Sequence, residues 1–192
     1  MKLSKELMHE REKLLKQYNM YKSKNLNLDL SRGKPCTEQL DLSNDMFKIP
    51  VEKFTYDKNL DCRNYGNLEG LQSMKKIFAD ILQVPTQNIM IGGNSSLGLI
   101  LDTISCFFIK GVLGSKPWKN QKIKFLCPVP GYDRHFTILD YFGIEQICIP
   151  LLNSGPDMDK VEQLVQNDEQ IKGMICVPKY SNPTGITYSP ET

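Results

Sequence analysis

Several short loops carry residue types that could do chemistry. In "NIMIGGNSSLGLI", two glycines and three small polar residues stand between an apolar run and a helical one. Glycine lets a backbone come close to a ligand, and the free amides of a helix start meet an anion with the positive end of the dipole. Gly93, Asn94 and Ser95 could therefore take a phosphate group, or Asn94 or Ser95 could do no more than cap the helix. The lysine and spacing of a nucleotide P-loop are missing. In "CPVPGYDRHF", Tyr132 occupies a Pro-Gly loop, where its face could meet a ring-shaped ligand or simply lie on the surface. His135 just beyond it suits packing or capping more than catalysis. "VPKYSNPTG" breaks an apolar run with a turn that Pro183 and Gly185 fix around Asn182. The Asn182 amide could donate to an anionic or phenolic oxygen, or serve the turn alone. "RNYGNLEGL" puts Tyr65 just before a helix, and "LDLSRGKP" sets Arg32 and Lys34 around Gly33. That pair of cations could receive a carboxylate or stay solvated.

The elements that must hold these loops alternate along the chain. Leu3, Leu7, Leu14, Tyr18 and Tyr21 recur at helical spacing among charges, which predicts an amphipathic helix over residues 4–23. Residues 25–60 have no sustained period and read as an extended linking segment with at most a short helix. From residue 67 the pattern becomes helix "LEGLQSMKKIFADIL", strand "NIMIG", helix 96–109, strand "KIKFLC" and helix "HFTILDYF". Strand "EQICI", a helix over 157–166 and strand "GMICV" complete it. Four strands alternating with helices predict an α/β domain with a mainly parallel sheet. Ligands of such sheets collect beyond the carboxyl ends of the strands, where these loops lie.

Bulk composition narrows the partners. There are 24 basic and 22 acidic residues, a balance that offers no single-sign surface to nucleic acid or an anionic membrane. The most apolar stretch, "LGLILDTISCFFI", is too short and interrupted to span a bilayer, and the amino terminus has no signal-peptide core. The six cysteines stand singly, and Cys127, Cys148 and Cys176 lie in or beside apolar runs, where a thiol packs as a small hydrophobe. With only His9 and His135 to join them, no metal site is expected. A reduced, cytoplasmic setting fits this usage.

Taken together and in this order, "YGNLEGL…IMIGGNSSLGLI…CPVPGYDRHF…CVPKYSNPTG" resembles the class I/II aminotransferases, pyridoxal-phosphate enzymes of fold type I. The phrasing is similar to a bacterial branch related to the aminotransferase part of the MocR regulators, which includes aspartate aminotransferases. The resemblance runs from about "LDLSRGKP" to the end, and as a set the motifs are specific. It implies an incomplete fold-type-I large domain, α/β with a mainly parallel sheet and helices on both faces, preceded by a helical arm. Residues 1–60 would be that arm, a small-domain and dimer-contact segment, and 61–192 the first part of the coenzyme-binding large domain.

The resemblance also assigns roles. Gly93, Asn94 and Ser95 match the phosphate cup of pyridoxal 5'-phosphate. Tyr65 matches the tyrosine that reaches the phosphate in the partner subunit, which implies a homodimer. Tyr132 matches the aromatic stacked on the pyridine ring, in a loop whose length departs from the commonest pattern. Asn182 matches the asparagine bonded to the phenolic oxygen, and Gly33, with Arg32 beside it, stands near the substrate carboxylate. The family's Schiff-base lysine would lie beyond Thr192, as would the acid paired with the pyridine nitrogen and the arginine for the α-carboxylate. No catalytic residue is therefore expected here, Lys179 and Lys34 being poor substitutes for a positioned, desolvated amine. The implied reaction moves an amino group from an amino acid, aspartate among the candidates, to a 2-oxo acid. The alternatives are a non-catalytic remnant that binds phosphate, coenzyme or a partner, and a subunit completed by a C-terminal fragment. A transcription regulator is disfavoured, since one N-terminal helix leaves no room for a winged helix-turn-helix.

Overall fold

The computed structural model describes residues 4–28, 33–50, 54–56 and 60–192, which divide into two units, Met1–Phe54 and Thr55–Thr192. In the first unit, α1 (Lys5–Ser23) begins where Ser4 Oγ accepts from the Leu7 N–H at 3.3 Å, a side-chain cap. Its apolar stripe forms as its spacing predicts, although Leu3 lies outside the described residues. The stripe is uncovered: no residue of α1 is buried, and Leu7, Leu14, Tyr18 and Tyr21 are each more than half exposed. A short helix, α2 (Thr37–Asp41), and a 3-10 turn, Asn44–Lys48, follow.

The second unit opens with a small antiparallel pair, β1 (Thr55–Tyr56) and β2 (Leu60–Asp61). Then come α3 (Gln72–Leu82), α4 (Ser96–Lys110), β3 (Lys124–Val129), α5 (Asp133–Tyr141), β4 (Glu145–Leu152), β5 (Gly155–Pro156), α6 (Met158–Asn167) and β6 (Ile171–Met174). The main sheet has the order β5-β4-β3-β6, with β3 parallel to both neighbours and the short β5 antiparallel to β4.

Alternation along β3 builds a core on each side of that sheet. Phe125 and Cys127 face α4 and α5, where they pack with Ile104, Trp118, Leu139 and Ile144. Leu126 faces the other way and packs with Ile149 and Val161 of α6. A strand covered on both faces reads as a continuous apolar run, which is why "KFLCPV" shows no polar alternation. At the amino end of β3, Lys124 Nζ lies 2.7 Å from Asp168 Oδ2 and pins the turn before β6. The pair raises the Lys124 pKa and lowers that of Asp168, each stabilising the other's charge.

The structure departs from the sequence reading at three places. Residues 88–92, expected as a strand, have no ladder among the described residues: a 3-10 turn ends at Asn88, and one bond, Ile91 N–H to the Glu69 carbonyl at 3.0 Å, ties the stretch to another segment. A strand needs a row of partners, and apolar composition alone does not supply one. Helix α3 starts at Gln72, later than Leu68, because Gly70 takes a left-handed φ of +86° that a right-handed helix excludes.

The thiols are the third departure. Cys127 is buried, but Cys148 and Cys176 are exposed. Cys148 shares the Cys127 face, yet β5 pairs with β4 only at Leu151 and Leu152, which leaves β4 an open edge at Cys148. Burial pushes the Cys127 thiol up to about 12, and only the thiolate attacks. At about pH 8, near the usual thiol pKa, Cys127 in the folded protein is expected to resist a disulfide reagent that labels the exposed Cys36, Cys62 and Cys106. It should become reactive in urea. Peptide mapping that finds Cys127 labelled as fast as Cys36 before unfolding would contradict this packing.

Candidate functional site

Strand direction decides which loops share an edge. Because β3 and β6 are parallel neighbours, the loops that follow them, with Tyr132 and with Asn182, leave the same edge of the sheet. Helix α4 runs the opposite way. Near its carboxyl end, Phe107 meets Trp118 edge-on at 5.1 Å, just ahead of β3. Near its amino end, Leu99 and Ile100 line a groove with Ile175, just past β6. The amino end of α4, with Gly93, Asn94 and Ser95 before it, thus points toward that same edge.

The cup itself is built from backbone. Ser95 is the N-cap of α4, its Oγ accepting from Gly98 N–H at 3.1 Å, while its carbonyl accepts from Leu99 N–H at 3.0 Å. Capping uses the oxygen as acceptor and leaves the hydroxyl hydrogen able to donate. The amides of Ser96 and Leu97 have no acceptor inside their own helix. No acidic residue stands in the first turn, so nothing cancels the positive end of the dipole. Space is available as well: a Cβ built on Gly93 would meet nothing within 4 Å. Donors without acceptors, an uncancelled dipole and open space fit a phosphate group.

Tyr132 is half-buried and caps α5, its carbonyl accepting from His135 N–H at 3.1 Å. The two rings meet edge to face, centroids 5.2 Å apart. His135 Nδ1 is buried with no hydrogen-bond partner, and burial lowers the pKa of the imidazole, which favours the neutral ring. Asn182 is exposed in a loop closed on both sides: Ser181 N–H donates to Ile186 O at 2.8 Å, and Tyr188 N–H to Pro178 O at 2.8 Å. The Asn182–Pro183 peptide is cis. The Asn182 side chain is left available.

Among the other expected residues, Tyr65 is 96% exposed, and its ring does not join the cup. Gly33 and Lys34 are exposed in the first unit, and Arg32 lies outside the described residues. Lys179 is exposed too.

Sequence reading missed a pair beside the cup. Lys75 is buried in α3, its Nζ 2.8 Å from Glu69 Oε2, and this bond holds the Glu69 carboxyl below its usual pKa. The signal was a lysine on the stripe Leu71, Lys75, Ala79, Leu82, where an apolar residue would be expected.

A mainly parallel sheet with helices on both faces and an anion-type cup opening at its carboxyl edge is the N-terminal part of the fold-type-I pyridoxal-phosphate transferases. The structure superposes with a TM-score of 0.85 on an aspartate transaminase from Corynebacterium glutamicum, 43% identical, covering 98% of this chain and 45% of that one. At 16% identity, a kynurenine aminotransferase from Pyrococcus horikoshii, solved in complex with PMP, shares the fold with a TM-score of 0.56, over 98% of this chain and 46% of that one.

The chain belongs to the aspartate amino-transferase family, whose model matches residues 3–192. Aspartate aminotransferase of C. glutamicum is 46% identical over 183 residues, which are 94% of this chain and 42% of that protein. The chain spans less than half the length of the curated relatives it matches. Among the described residues, no helix is long and apolar enough to cross a membrane.

Proposed function

We propose that this chain supplies the coenzyme-gripping part of an aminotransferase that moves an amino group from an amino acid to a 2-oxo acid. The observation that carries the reading is the amino end of α4, with its open Gly93, free amides and no acid in the first turn. Gly93, Asn94 and Ser95, with the amides that follow, would bind the phosphate of pyridoxal 5'-phosphate. Tyr132 would cover one face of the pyridine ring, and Asn182 would donate its amide hydrogen to the phenolic oxygen. Gly33, with Arg32 beside it, would stand near the substrate carboxylate. Tyr65, fully open to solvent, would reach the phosphate in a partner subunit of a homodimer. When bound, the coenzyme supplies an electron sink for the charge that develops on the substrate's α-carbon.

Residues 1–60 would then be the arm and dimer-contact segment, and 61–192 the first part of the coenzyme-binding domain, in a cytoplasmic enzyme. A polypeptide equivalent to the second half of the curated relatives would complete it. The exposed amines of Lys179 and Lys34 favour binding without catalysis by residues 1–192 alone.

Titration of the chain with pyridoxal phosphate and with pyridoxal tests the cup directly. The phosphate ester is expected to bind at least about tenfold more tightly, because one hydrogen bond to a charged group contributes about 1.5–3 kcal/mol and tenfold is about 1.4. Gly93→Asp, which adds a carboxylate where space is open, should abolish that preference and leave the thermal transition in place. Equal affinity for the two ligands in the unaltered chain would end the coenzyme reading.

A further inference from the structure

Residues 91–93 enter the cup without a strand ladder, so something else must fix their position. On one side lies the turn Glu69–Gly70. The Glu69 carbonyl accepts from Ile91 N–H at 3.0 Å, and a Cβ on Gly70 would run into the Ile91 side chain. On the other side lies α4, so close that a Cβ on Gly92 would strike Leu99. The cup is thus held between α4 and a turn whose own position must be secured.

Lys75 secures it. Its side chain is 3% exposed, and its ammonium reaches back from the interior of α3 to the Glu69 carboxylate at 2.8 Å. A buried ammonium is costly unless it is paired, so the lysine fixes the carboxylate as firmly as the carboxylate satisfies the lysine. Glu69 uses its side chain toward Lys75 and its carbonyl toward Ile91. One residue therefore joins α3 to the backbone leading into the cup, four positions beyond Tyr65.

We propose that Lys75 is a positioning residue for the phosphate cup, acting through Glu69 on the backbone of Ile91 and tying the Tyr65 loop to the cup; the inference rests on the coenzyme reading above. Lys75 touches no ligand. It sets where the Gly93 and Asn94 backbone stands, and so acts on the phosphate more than on the ring.

The test compares pyridoxal phosphate with pyridoxal for the unaltered chain, Lys75→Met, Lys75→Arg and Glu69→Gln, each with its thermal transition. The preference for the phosphate ester is expected to fall roughly tenfold in Lys75→Met, within the usual span of coupling between two sites. It should fall in Glu69→Gln too, and return in Lys75→Arg, which keeps the charge. A purely structural role would lower the thermal transition without this selective loss. Full preference in a folded Lys75→Met overturns the inference while leaving the coenzyme reading intact. Should Lys75→Met fail to fold, Glu69→Gln decides, its carboxylate being 66% exposed, and an unchanged preference there overturns it. No preference in the unaltered chain would remove both.

Discussion

Supplied with aspartate, 2-oxoglutarate and pyridoxal phosphate, the polypeptide of residues 1–192 is expected to turn over no faster than free coenzyme. Adding a polypeptide that carries the rest of the C. glutamicum relative, of which this chain matches 42%, should raise the rate by at least about a thousandfold. That is a modest share of the roughly millionfold or greater acceleration that enzymes reach. The physical reason is a division of labour. On the proposed reading, residues in this chain would grip a phosphate and cover a ring, but bonding to the aldehyde needs an amine that is both fixed and neutral. Lys179 and Lys34 are both exposed. Borohydride reduction should accordingly leave sparse adducts spread over surface lysines. A single stoichiometric adduct at Lys179 or Lys34, with turnover by residues 1–192 alone, would sink the proposal.

Leu139→Ala is expected to destabilise the folded chain by about 3 kcal/mol, the usual cost of a leucine deleted from a closed core. Leu139 is 0% exposed and packs among Ile104, Phe125, Cys127 and Ile144 on the α4–α5 face. Against a total stability of about 5–15 kcal/mol for an ordinary domain, that loss is large. With a urea slope of about 1–3 kcal/mol/M, the midpoint should drop by at least about 1 M. Leu113→Ala is the control: that side chain is 102% exposed and should change stability by less than about 0.5 kcal/mol. Equal midpoints for Leu139→Ala and Leu113→Ala would mean that the α4–α5 core does not carry the fold.

Helices α4, α5 and α6 and strands β3 and β4 were legible because each combines a clear apolar pattern with a strong boundary. Ser95 and Asp157, for example, cap α4 and α6 with their side chains. Residues 88–92 were misread because an apolar run does not state that another strand will pair with it. The start of α3 was misplaced because no local pattern records that Gly70 turns left-handed, at a place where a Cβ would strike Ile91 across the chain. The cup was visible as Gly-Gly-Asn-Ser-Ser ahead of an apolar helix. The Lys75–Glu69 pair beside it was not, since an i,i+6 contact follows no helical spacing and Glu69 precedes the helix. Cys148 was misjudged because the reach of β5 along β4 is a matter of topology.

β3 is a partition between two volumes, with Phe125 and Cys127 filling one and Leu126 the other. Changes of side-chain size on opposite sides of that wall meet different neighbours, so their effects should add, whereas changes on the same side should interact. A change in length has no such shelter. One residue inserted or removed within β3 would turn the strand over, sending each of the three side chains into the volume shaped for another. The strand can therefore drift in composition, while its residue count is held fixed by both volumes at once.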